Sequence, residues 1–105
     1  MRLSGLALLP VALFLGCMNN PEALRNQCRA NMNTLSSDMA MFRVTTGSWT
    51  DDTGSLDSAA GRTVPLVCPE CDEPYRVTIH DGGYILSCPG YRHGSIDTGT
   101  QDWSR

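Results

Sequence analysis

Three cysteines and one histidine in the second part of this sequence have types and spacings that can do chemistry. Cys68-Pro69-Glu70-Cys71 is followed after sixteen residues by Cys88, and His93 comes five positions later. Two thiols at C-x2-C spacing give a tetrahedral metal ion a pair of soft donors with the right bite. A third thiol and an imidazole complete a four-donor set suited to zinc. The expected ligands are Cys68, Cys71, Cys88 and His93, in a structural role, because no coordination position is left open. The same sulfurs allow a second chemistry. Cys28, Cys68, Cys71 and Cys88 are an even four that can pair as disulfides in three ways. A bridge from Cys88 to Cys68 or Cys71 would contribute ~2–4 kcal/mol. A third chemistry makes Cys68 and Cys71 a thiol oxidoreductase pair. Such pairs use a helix N-terminus to lower the thiol pKa, and Pro74 with the β-rich run Tyr75–Ile79 argues against a helix there. No Ser-His-Asp set and no paired carboxylates stand out, so the chain is expected not to be an enzyme.

A hairpin must position these groups. Tyr75–His80 and Tyr84–Cys88 alternate in the manner of strands around Asp81-Gly82, a type I′ turn signal. A two-residue turn there pairs Ile79 with Tyr84, Val77 with Leu86 and Tyr75 with Cys88, all on one face. Cys88 thereby returns to the neighbourhood of Cys71. His80 falls at the hairpin tip, too far away to serve as a ligand. Val64 to Cys68 reads as a further short strand. Something must cover the sheet face, and the first half of the chain supplies it. Asn20-Pro21-Glu22 is a helix start. Leu24, Cys28, Met32, Leu35, Met39 and Phe42 then recur at helical spacing until Gly47, a natural stop. The expected fold class is α+β, a long N-terminal amphipathic helix over 21–46 packed on a small antiparallel sheet in a single domain over 21–105. A polar loop is expected over 47–63, the hairpin region over 64–96 and a polar tail over 97–105. Asp51, Asp52 and Asp57 in the loop lack the alternation of an EF-hand.

The CP-x-C knuckle, with Cys88 and His93 beyond the hairpin, resembles a zinc ribbon; Asp72 stands where ribbons commonly carry glycine. More widely, the helix with Cys28-x-Ala30-Asn31-Met32, the Phe42–Gly47–Trp49 helix end and the CP-x-C…Y…C-P…H-G hairpin resemble the globular part of type IV pilin-like and type II secretion pseudopilin-like proteins. The resemblance covers about Cys28 to Ile96. It implies a long helix packed on a small antiparallel sheet stapled by cysteines, and an accessory role in a pilus or secretion machine.

The start of the chain reads as an address. Met1-Arg2 precedes an uncharged run from Leu3 to Gly16 that is too short to span a bilayer. It has the pattern of a secretory signal peptide over 1–16. Leu13-Phe14-Leu15-Gly16-Cys17 resembles the bacterial lipoprotein lipobox. That implies cleavage before Cys17, a covalent lipid on Cys17, a lipidated tether over 17–20 and stable attachment to a membrane by two or more acyl chains. Met18-Asn19-Asn20, with no acid directly after Cys17, resembles sorting to the periplasmic face of an outer membrane. Such a compartment is oxidising, which is why the remaining cysteines are read as disulfides or metal ligands. The 105 residues allow one domain, and the formal net charge of −3, with eight arginines scattered singly, excludes a nucleic-acid module. The expected function is a non-catalytic binding or scaffolding role at the cell envelope. Its expected partners are the membrane and an envelope protein.

Overall fold

Helix α1, Pro21–Thr46, begins where its end groups can be satisfied. The Asn20 side chain accepts from the Glu22 amide at 2.9 Å, Pro21 occupies the first turn, and Glu22 lies at the positive end of the helix dipole. It ends at Gly47, left-handed with φ 87°, whose N–H donates to the Arg43 carbonyl at 2.8 Å. The structure, a computed structural model, describes residues 20–104. Cys17, its expected lipid and the signal segment lie outside the described residues. No helix among the described residues is long and apolar enough to cross a membrane.

Four strands form one antiparallel sheet in the order β1 (Arg76–His80), β2 (Gly83–Ser87), β3 (Ser95–Asp97) and β4 (Thr100–Asp102). The hairpin register follows from the alternation, with Ile79 opposite Tyr84 and Val77 opposite Leu86. Helix α1 lies over β2 and β3 and puts Cys28, Met32, Leu35 and Met39 into the core, against Tyr84, Leu86, Cys88 and Ile96. Because the helix covers the centre of the sheet, β1 is a bare edge. Ile79, expected on the covered face, is 44% exposed for that reason.

Three further differences from the sequence expectation have local causes. The 47–63 segment is not all loop: it contains helix α2, Thr53–Ala59. Asp52 caps that helix, accepting from Gly54 N–H at 3.0 Å and Ser55 Oγ–H at 3.1 Å, and Leu56 is fully buried beneath it. The 97–105 tail carries β4, because Thr98 and Gly99 both take positive φ, 47° and 90°, and turn the chain straight back. Val64–Cys68 is not a strand; it makes one isolated bridge, Val67 with Pro74.

Arg62 ties α2 to α1. Its guanidinium lies 2.7 Å from Asp38 Oδ2 and 2.8 Å from Asp57 Oδ1, with its side chain 19% exposed. Replacing Arg62 with alanine leaves two nearly buried carboxylates facing each other. The expected cost is about 2–4 kcal/mol, just under the full range for breaking a buried ion pair. Urea unfolding at neutral pH measures it, and Asp57→Asn combined with Arg62→Ala should recover part of the loss.

Candidate metal centre

The C-x2-C turn builds the first half of the site. Cys68 N–H donates to the Glu73 carbonyl at 3.0 Å and Asp72 N–H to the Cys68 carbonyl at 2.7 Å, so the segment closes on itself. Asp72 reaches this shape with φ 59°, a left-handed conformation in which Asp is better tolerated than most residues. The closed turn aims the backbone N–H groups of Glu70 and Cys71 at the Cys68 sulfur and that of Glu73 at the Cys71 sulfur. Amides directed at sulfur favour thiolate over thiol.

The second half comes from the end of β2 and from α1. Cys88 follows β2 directly, and its Sγ lies 3.3 Å from Cys68 Sγ. His93 follows a 3₁₀ turn at Pro89–Tyr91. One ligand atom from each of Cys28, Cys68, Cys88 and His93 lies within 4.8 Å of every other, and all four residues are buried. Among the described residues these four form the group able to hold a metal ion. Cys68, Cys88 and His93 therefore come together as the spacing suggests. Cys71 is outside the group and half-buried, and Cys28 of α1 stands in the fourth place. No disulfide joins Cys28, Cys68, Cys71 or Cys88. His80 lies elsewhere, with Nε2 3.1 Å from Asp97 Oδ1.

Several side chains hold the ligands without belonging to the group. The Tyr75 hydroxyl lies 3.4 Å from Cys28 Sγ, from the Cys28 carbonyl and from the Val67 carbonyl. Asn31 Nδ2 donates to the Tyr75 hydroxyl and to the Val67 carbonyl, each at 3.2 Å, and so binds the turn to the helix. Arg29 Nε donates to the His93 carbonyl at 3.0 Å. The same guanidinium donates to the Trp103 carbonyl at 3.2 Å and lies 5.1 Å over the Trp103 ring. Sequence reasoning missed these groups. For Arg29 the available signal is its place beside Cys28 in α1; Tyr75 gives none, since in the sequence it is an ordinary strand residue.

No family model matches this chain, and no curated protein or solved structure matches it either.

The electrostatics divide the thiols. Burial pushes Cys28 and Cys88 up from the ordinary thiol value. Burial acts on Cys68 in the same sense, but the Cys71 and Glu70 amides with the Cys88 and Cys71 side chains outweigh it and hold Cys68 below that value. Cys71 is pushed up by burial and by the neighbouring Cys68 sulfur. His93 Nε2 is buried and makes no hydrogen bond. Glu70 Oε1 sits 2.8 Å from it, at ion-pair distance but outside hydrogen-bonding geometry. A buried imidazole grouped with three buried sulfurs fits a metal ion. Tetrahedral zinc with Zn–S about 2.3 Å and Zn–N about 2.0–2.1 Å needs donor separations of about 3.5–3.8 Å. The donor atoms of the group already lie within 4.8 Å of one another.

Proposed function

We propose that the chain is a lipid-anchored protein of a bacterial cell envelope with a non-catalytic binding or scaffolding role. Cys17 carries the lipid, and one structural zinc ion on Cys28, Cys68, Cys88 and His93 holds the folded head shut. The single observation behind the metal is His93. A disulfide needs no imidazole, whereas a buried imidazole grouped with three buried thiols completes a four-donor set for a metal ion. Glu70 Oε1, 2.8 Å from Nε2, suits the carboxylate that usually partners one ring nitrogen of a metal-bound histidine and leaves Nδ1 for the metal. With four protein donors zinc has no free position for substrate, so its role is to cross-link. A head this small has a modest apolar core and gains much from such a staple. The tether is supported by the lipobox-like Leu13–Cys17 segment.

Metal analysis and intact mass of protein purified without chelator test this reading. The expected result is one zinc per chain, every head thiol reduced and a mass raised by lipid. Protein free of zinc and lighter by two or four hydrogens would establish disulfides instead. The 3.3 Å approach of Cys68 and Cys88 is the observation that favours that second reading. Failure of labelled fatty acid to enter the protein, with no difference in a Cys17→Ser variant, would remove the anchor. The α+β arrangement, with a long helix over an antiparallel sheet, also supports an accessory role in a pilus or secretion machine. Co-purification with such a machine checks that role.

A further inference from the structure

Besides the four donors of the candidate group the head holds one more cysteine, Cys71, the most accessible of the four thiols among the described residues. Cys28, Cys68 and Cys88 are fully buried, while Cys71 is half-buried. Cys71 also shares one tight turn with a ligand: Asp72 N–H donates to the Cys68 carbonyl and Cys68 N–H to the Glu73 carbonyl, which closes the 68–73 segment around both cysteines. Cys68 thus belongs to two arrangements, the four-donor group and a C-x2-C pair.

We propose that Cys71 is an oxidation site through which peroxide opens the metal centre, by way of a Cys68–Cys71 disulfide that withdraws Cys68 from the ligand set. This rests on the zinc reading above. In the first step the Cys71 sulfur attacks one oxygen of a hydroperoxide such as hydrogen peroxide. The O–O bond breaks, an S–O bond forms, and the hydroxide that leaves takes the Cys71 thiol proton to become water. Sulfur is oxidised by two electrons to the sulfenic acid, and the peroxide is reduced. In the second step the Cys68 sulfur gives up its bond to the metal and attacks the Cys71 sulfur. The S–S bond forms, the S–O bond breaks, and the departing hydroxide takes a proton from solvent to become water. In sum, one thiol, one metal-bound thiolate, one peroxide and one proton from solvent give one disulfide and two waters. Cys28, Cys88 and His93 then hold the ion with one donor fewer. The first step falls on Cys71 because oxidation requires contact with the oxidant, which full burial denies to the other three sulfurs.

Trypsin separates the possibilities. Cys68 and Cys71 share the peptide 63–76, while Cys28 and Cys88 lie in two other peptides. Full-length protein is reduced, loaded with zinc and treated with hydrogen peroxide, and released zinc is followed with a chromogenic chelator. The wild type is expected to release its zinc as peptide 63–76 becomes lighter by two hydrogens. Cys71→Ser is expected to release it at least about tenfold more slowly. Equal release from both proteins, or a disulfide joining the Cys28 and Cys88 peptides, overturns the inference. Reduced protein that binds no zinc overturns the metal reading and leaves the thiol pair to be judged by mass alone. In that case an unchanged peptide 63–76 after peroxide overturns the Cys71 inference, and its loss of two hydrogens supports Cys71 as the oxidation site.

Discussion

Cys28→Ala loses the zinc, and Cys71→Ala keeps one zinc per chain. The prediction separates two ligand sets that differ by one sulfur. Cys28 belongs to the four-donor group and is fully buried on α1, whereas Cys71 lies outside that group. Structural zinc contributes roughly 10–16 kcal/mol of apparent binding energy in small zinc-dependent domains at neutral pH, and that binding energy is folding energy. Removing one of four ligands forfeits a large part of it, whereas Cys71→Ala forfeits none. Even about 3 kcal/mol of that loss would lower Tm by about 12–24 °C for a domain of this size. A small buried thiol replaced by alanine in a metal-free core costs far less, so the size of the change also reports the metal. Metal content with thermal unfolding monitored by circular dichroism decides it. The reverse outcome, with zinc kept in Cys28→Ala and lost in Cys71→Ala, would give the ligand set Cys68, Cys71, Cys88 and His93.

Gly94→Ala should be nearly as damaging, although residue 94 is not a ligand. Gly94 has φ 99°, a region that side chains rarely enter. A Cβ there would sit 2.6 Å from the Asp102 carbonyl oxygen and 2.8 Å from the Trp103 ring. The carbonyl is backbone and cannot swing aside, so the 93–94 segment must move away from the end of β4. Strain of this kind costs about 1–3 kcal/mol, and the clash adds a comparable amount. The movement also displaces His93, whose carbonyl is fixed by Arg29. The expected result is a loss of about 3–4 kcal/mol in urea unfolding, together with weaker zinc retention against a chelator. A variant of ordinary stability and ordinary zinc retention would refute it.

Local rules made part of this molecule legible from sequence. The hairpin register follows from strict alternation around Asp81-Gly82, and the ends of α1 from Asn20, Pro21 and Gly47, because each depends on a few adjacent residues. Helix α2 and strand β4 were hidden for the opposite reason. Their segments are polar and short, and they are fixed by the Asp52 cap, by buried Leu56 and by a turn with Thr98 at positive φ. The fourth donor shows the limit most clearly. Sequence spacing joins Cys68 to Cys71 because they are neighbours in the chain. Cys28 reaches Cys68 only after α1 has folded over β2 and β3. The one hint was its place on the apolar stripe, on the face that meets the same sheet as Cys88.

The position of Cys28 within α1 also has a mechanical consequence. Force arriving through the residues before Asn20 enters the molecule at the first turn of α1, and Cys28 lies only about two turns further on. With the proposed zinc in place, a pull that unravels those two turns would then meet a point clamped to the turn at 68 and to the end of β2. The remaining helix and the sheet beneath it would be shielded from the load for as long as that clamp holds.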